Sequence, residues 1–118
     1  MKNKIKKIHF IGIGGSGMSG IAEVMHNLGF KVSGSDSTST NVTAELKRMG
    51  IRVYTKHAAK NITGVDVIVS STAITKNNIE IKEGKDKNIP IIARAEMLSE
   101  LMRFFFISFF FVFLHHTK

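Results

Sequence analysis

The segment Phe10-Ile11-Gly12-Ile13-Gly14-Gly15-Ser16-Gly17-Met18-Ser19-Gly20 runs an apolar stretch into a cluster of glycines and then into a helix-forming sequence. Gly12, Gly14 and Gly17 fit the spacing G-x-G-x-x-G, and Gly15 and Gly20 add to it. Such a turn leaves no Cβ between the backbone and a bound phosphate. The helix after it aims unpaired N–H groups and the positive end of its dipole at the ligand. The chemistry this implies is recognition of a nucleotide diphosphate, with Gly14, Gly15, Ser16 and Gly17 as the candidate contacts. Glycines also cluster in ordinary turns, so the spacing is a weak signal alone. An apolar strand before it and an amphipathic helix after it make it stronger.

Four further groups fall where a ligand of this kind would lie. Asp36 stands 19 positions after Gly17. An acid there accepts hydrogen bonds from a ribose in a generic dinucleotide fold, or simply turns the chain. Ser70, Ser71 and Thr72 close an apolar run and either donate to a ligand or start a turn. Arg94 follows another apolar run, free to face an anion or solvent, and Glu96 suits the first turn of a helix. His57 follows a strand, and a lone histidine there is more often structural than a ligand contact. His9, in mid-strand, reads as a satisfied core or interface residue. His115 and His116 are adjacent, with no supporting metal ligands. No Ser-His-Asp set or carboxylate pair has a catalytic spacing.

The elements that must position these residues alternate. Ile8–Ile13 reads as a strand buried on both faces. A helix over about Met18–Leu28 places Met18, Ile21, Ala22, Met25 and Leu28 on one side, ending at Gly29. Lys31–Gly34 is a second strand. The next helix, capped by Thr40 or Asn41, turns Val42, Leu46 and Met49 inward and stops at Gly50. Ile51–Tyr54 and Val65–Val69 are strands three and four. Asn78–Asn88 is a weak helix interrupted by Gly84. Ile89–Ile92 is strand five, and a last helix from Ala95 buries Met97, Leu98, Leu101 and Met102. This alternation predicts an α/β, Rossmann-like fold: a parallel five-stranded sheet with helices on both faces and right-handed crossovers. Ligands then sit at the carboxyl ends of the strands, where Gly12–Gly17, Ser35–Asp36 and Ser70–Thr72 all fall.

The chain has 118 residues, 43% of them hydrophobic, which is enough for one domain with a real core. It has no cysteine, which excludes disulfides, thiolate metal sites and cysteine nucleophiles and suits the cytoplasm. The net charge of +8 suggests nucleic acid at first. Yet Lys2, Lys4, Lys6 and Lys7 precede the first strand, and the other basic residues are scattered, with no basic stripe interleaved with aromatics. The expectation is a solvated basic surface and no nucleic-acid partner. The basic start leads into too short an apolar run for a signal peptide.

Taken together, His9-Phe10-Ile11-Gly12-Ile13-Gly14-Gly15-Ser16-Gly17-Met18-Ser19-Gly20-Ile21-Ala22 resembles the opening of the Mur ligases of peptidoglycan synthesis, in the branch that joins L-alanine to UDP-N-acetylmuramate. Ser33-Gly34-Ser35-Asp36, Val69-Ser70-Ser71-Thr72-Ala73-Ile74 and the run from Arg94 to Arg103 resemble the family's next segments in order. The resemblance implies a domain over residues 1–103 that holds the UDP part of the sugar nucleotide. Gly14, Gly15, Gly17, Asp36, Ser70 and Ser71 would surround UDP-N-acetylmuramate. It also implies that ATP and Mg serve the full-length family through a Gly-x-x-Gly-Lys-Thr loop in a second domain. There the muramyl carboxylate becomes an acyl phosphate, which alanine attacks. No cofactor is expected in this chain itself. A free-standing NAD-binding regulatory module and a non-functional truncated product are the alternatives.

After Arg103 the sequence departs from the family. Phe104 to Leu114 holds seven of the nine phenylalanines, and no Gly-Lys-Thr or Gly-Lys-Ser occurs. Residues 104–118 are therefore expected to be an aberrant tail, with the ATP-binding and C-terminal domains missing. The 11 residues from Phe104 to Leu114 rise about 17 Å as a helix, against the roughly 30 Å of a bilayer core. Glu96, Glu100 and Arg103 interrupt any apolar extension, so no transmembrane span is expected. The run has no polar helix face for peripheral attachment, and is expected to be an aggregation liability.

Overall fold

The computed structural model describes residues 4–116. Lys2 and the last two positions of the tail lie outside them. The order is β1 (Lys7–Ile11), α1 (Met18–Asn27), β2 (Lys31–Ser35), α2 (Asn41–Arg48), β3 (Arg52–Tyr54), a 3-10 turn (Ala59–Ile62), β4 (Val67–Ser70), α3 (Ile79–Asp86), β5 (Ile91–Ala93) and α4 (Arg94–His116). All four strand pairs are parallel, in the spatial order β3-β2-β1-β4-β5. The sheet and its alternation with helices are as the sequence predicts. Only the 3-10 turn was not read from it.

Side chains alternate across β1, and the two faces bury different partners. Ile8 and Phe10 point into a cluster with Met18, Ile21, Ala22 and Met25 of α1, Leu46 of α2, and Met97 and Leu101 of α4. Ile11 and Ile68 point the other way, onto Ile62 of the 3-10 turn and Ile81 of α3. Helices therefore cover both faces.

Three helix details differ from expectation. In α2 the inward position belongs to Thr43 rather than Val42, which is exposed. Thr40 caps the helix and forms a reciprocal capping box with Thr43, which turns Thr43 against the domain. In α4 only Met97 and Leu101 are buried, while Leu98 and Met102 face solvent, because a single helix on the sheet hides one narrow stripe. Gly84 does not interrupt α3. A Cβ there would lie 2.6 Å from Cδ1 of Ile68, so the missing side chain lets α3 sit close on β4.

The phenylalanine run continues the last helix without a break. Joined to Arg94–Arg103 it makes one helix of 23 residues, long and apolar enough to cross a membrane by length and composition. Its three charged side chains after Arg94, Glu96, Glu100 and Arg103, all fall in the first ten residues.

Candidate functional site

Strand order reverses between β1 and β4, so the crevice of this sheet opens above the ends of those two strands. The register places Tyr54, Ser35, Ile11, Ser70 and Ala93 in one row across the five strands. One residue further on, Gly12, Ser71 and Arg94 stand side by side at the rim, with Asp36 beside Gly12. Four segments scattered over 118 residues thus meet at one edge.

The glycine loop is held from below. Ser35 O accepts the N–H groups of Gly12 and Ile13 at 2.8 and 3.1 Å. Gly12 O accepts from Gly15 N–H at 3.0 Å, and Gly15 O accepts from Met18 and Ser19. Asp36 Oδ2 accepts from Gly14 N–H at 2.8 Å, while Oδ1 accepts from Thr38 N–H at 3.0 Å. Its contact with the loop is thus a tether from outside the turn. The N–H groups of Ser16 and Gly17 take no partner among the described residues.

Gly17 immediately precedes α1, and its φ of 81° is a left-handed conformation open to glycine. No side chain caps this helix and no acid lies in its first turn, so its N-terminal donors and dipole are uncompensated. Arg94 adds further positive charge there from across the sheet: a Cβ built on Gly17 would stand 3.0 Å from its Nη1. Arg94 is half-buried, and its guanidinium has no hydrogen-bond or ion-pair partner among the described residues. Two free backbone donors, an uncapped helix start and an unpaired guanidinium converge on one exposed spot, an arrangement that attracts an anion.

The serines are less uniform. Ser70 is buried and donates to Ser71 O at 3.1 Å. Ser71 is half-buried, and its Oγ accepts from Ala73 N–H at 3.3 Å, which shapes the turn. Thr72 is exposed. The same loop lays Ile74 beside Gly12, its Cδ1 3.6 Å from a Cβ built there. Glu96 accepts from Ala93 N–H at 3.0 Å, closing the abrupt turn from β5 into α4.

Beneath this rim, on the α3 face, lies a polar cluster that sequence reasoning missed. Glu80 is fully buried. Its Oε1 accepts from His9 Nε2 at 2.8 Å and Ser35 Oγ at 2.7 Å. Its Oε2 accepts from Asn61 Nδ2 at 2.7 Å and Ala58 N–H at 3.0 Å. His57 Nδ1 donates to Ser35 Oγ at 2.8 Å and stands 3.8 Å from the carboxylate, and His9 Nδ1 meets Ser33 Oγ at 2.8 Å. Burial pushes the Glu80 carboxyl upward, the largest single influence. The hydrogen bond and charge of His9, with the bonds from Ser35 and Asn61, outweigh it and hold the group at about 2. His9 is thus a satisfied core residue, and His57 joins the same network from a partly exposed position. The signal was present in the strands: His9, Ser33 and Ser35 lie on one face of a buried sheet, and buried polar groups require a partner.

Fold and site together define a parallel α/β domain that presents a glycine-rich loop at its topological switch point. The family described as "Mur ligase family, catalytic domain" matches residues 7–106, and the chain belongs to it. A UDP-N-acetylmuramate–L-alanine ligase of Neisseria gonorrhoeae is 57% identical over 104 residues, which are 88% of this chain and 22% of that protein. One from Ruthia magnifica is 54% identical over 105 residues, 89% of this chain and 22% of that protein. Among solved structures, the UDP-N-acetylmuramate–alanine ligase of Thermotoga maritima superimposes with a TM-score of 0.80 at 33% identity, over 85% of this chain and 23% of that one. The chain thus spans about a fifth of the length of the curated relatives it matches.

Proposed function

We propose that this chain is the UDP-N-acetylmuramate-binding part of a ligase that adds L-alanine in peptidoglycan synthesis, and that it acts in the cytoplasm. The observation that carries this reading is the convergence of Arg94 on the uncapped start of α1, beside the unpartnered N–H groups of Ser16 and Gly17. The diphosphate would sit on those two donors, with the guanidinium neutralising its charge. Gly14 and Gly15 would leave its approach open. Asp36 would act by fixing Gly14, while Ser70, Ser71 and Thr72 would border the rest of the ligand.

The bound diphosphate would belong to a UDP-sugar rather than to NAD. Both oxygens of Asp36 already accept backbone N–H groups, which leaves this acid poorly placed to select a ribose. In the ligase, ATP and Mg would activate the muramyl carboxylate. That step requires positioned phosphates and a metal, and these residues carry no Gly-Lys-Thr or Gly-Lys-Ser loop. The domain reading of 1–103 as binding unit and 104–118 as a separate tail belongs to the same proposal. Calorimetry with UDP-N-acetylmuramate and NAD on the same protein tests it. Preference for the UDP-sugar, without ATP-dependent formation of UDP-N-acetylmuramoyl-alanine, is the expected result. A preference for NAD, or ligation by the chain alone, would refute it.

A further inference from the structure

The end of the sheet opposite the glycine loop gathers positive charge. Lys7, Lys31 and Arg52 open β1, β2 and β3, and Lys7 and Lys31 are direct partners in the sheet. Helices that follow parallel strands run back along them, so Lys47 and Lys85 in the last turns of α2 and α3 come to the same end. Lys6 joins them, its carbonyl accepting from Lys31 N–H at 2.9 Å. A groove of about 680 Å³ opens between Lys6, Lys7, Lys31, Leu28 and Phe30. Of the acids nearby, Glu45 pairs with Arg48, Glu83 with Lys87, and Asp66, at the groove, accepts from the N–H groups of Lys6 and Lys7, while Asp86 beside Lys85 forms no ion pair among the described residues, so the basic groups outnumber the free acids.

Helix α4 leaves the protein at this end. It turns back at Arg94, and Met97 and Leu101 dock its first turns on the sheet. Residues 94–103 rise about 15 Å, close to the roughly 17 Å length of a five-residue strand. The rest of the helix therefore projects about 20 Å beyond the basic end. The molecule accordingly measures 53 Å along its longest axis against 33 and 23 Å across. Every side chain from Phe104 to Leu114 except Ser108 is exposed, with Phe106 at 69% and Phe109 at 71%. No face of this segment is polar. A second copy of the chain would cover one side of it, whereas hydrocarbon covers all sides. At about 17 Å the segment is too short to span a bilayer core of about 30 Å and fits within one leaflet. At its far end His115 folds back, with Nδ1 3.0 Å from Phe111 O and its ring 4.4 Å from that of Phe111, while His116 is exposed, so this end belongs at the headgroups and not in the hydrocarbon.

We infer that α4 is a monotopic membrane anchor: Phe104–Leu114 lies obliquely within one leaflet of an anionic bilayer, with His116 returned to the headgroups, while Lys6, Lys7, Lys31, Lys47, Arg52 and Lys85 rest on them. The helix itself lacks the polar face of an ordinary interfacial helix, and the basic end of the domain supplies it. Apolar insertion plus a polybasic surface is the two-signal combination that stable attachment requires. The glycine loop, at the other end of the strands, stays open to water.

Vesicle flotation of the full chain tests this, with phosphatidylcholine alone and with phosphatidylcholine mixed with phosphatidylglycerol. The chain is expected to float with the anionic vesicles at least about tenfold more tightly than with the neutral ones, and less as salt rises. A double Lys6→Gln and Lys31→Gln variant should bind about 25-fold more weakly, at about fivefold per lysine. Replacing exposed Phe106, Phe109 and Phe110 by serine should abolish flotation while the circular dichroism and thermal midpoint stay unchanged. Equal binding to both vesicle types would overturn the inference. So would a discrete dimer that ignores vesicles, which would make a second copy the true cover of the helix.

Discussion

Two polar regions lie at the carboxyl ends of the strands, on opposite faces of the sheet, and they differ in how far their hydrogen bonding is complete. Glu80, buried under the rim, has four donors on its two oxygens. The start of α1 has backbone donors at Ser16 and Gly17, and a guanidinium at Arg94, with no partner for any of them among the described residues. A satisfied buried network has no capacity left for a ligand and works as scaffold. An unsatisfied exposed one awaits an anion. On the proposed function, the first region supplies stability and the second would supply recognition.

The largest effect should come from breaking the scaffold. Glu80→Ala strands the His9 imidazole, Ser35 and Asn61 in a dry interior, and removal of one partner from a buried charged network costs about 3–5 kcal/mol. Denaturant unfolding should show that loss, whereas a change below about 1 kcal/mol would mean that the network is dispensable. Acid sharpens the same point. The folded carboxyl titrates at about 2, below its ordinary 4.5. Its ionised form therefore stabilises the fold fully above about pH 4.5, and the contribution disappears as pH falls towards 2. The difference amounts to about 3 kcal/mol. Stability measured against pH should fall through that window in the parent and be flatter there in Glu80→Gln.

The recognition region should respond in the opposite way. Arg94→Ala removes a charge-assisted contact worth about 2 kcal/mol, so affinity for UDP-N-acetylmuramate should drop about thirtyfold while the thermal midpoint hardly moves. A large loss of stability with unchanged affinity would make Arg94 part of the scaffold. The smallest effect belongs to Ser71→Ala, under about 1 kcal/mol in affinity, since its hydroxyl already accepts from Ala73 N–H.

The two regions also differ in how legible they were. The glycine spacing, Asp36, Ser70–Thr72 and Arg94 stand at strand ends that the apolar runs mark, so a parallel sheet brings them together once its strands are recognised. What sequence could not supply was direction: that Asp36 reaches Gly14, and that Arg94 crosses to Gly17. The Glu80 network was illegible for a different reason. His9 and Glu80 are 71 positions apart, joined only by the packing of α3 on the sheet. Gly84, read as a flaw in a weak helix, is the residue that permits this close packing. Leu98 and Met102 followed the helical period of the core yet face solvent, because the period fixes which residues share a face and not how wide a stripe the sheet covers.

Amide chemical shifts followed during titration with UDP-N-acetylmuramate test the division most directly. The account predicts that the largest changes fall on the N–H groups of Ser16 and Gly17 and on the Arg94 side chain, while Ala58 and the Asn61 side chain, both bound to Glu80, stay put. Changes centred on the Glu80 donors, or no response at Ser16 and Gly17 under saturating ligand, would contradict it.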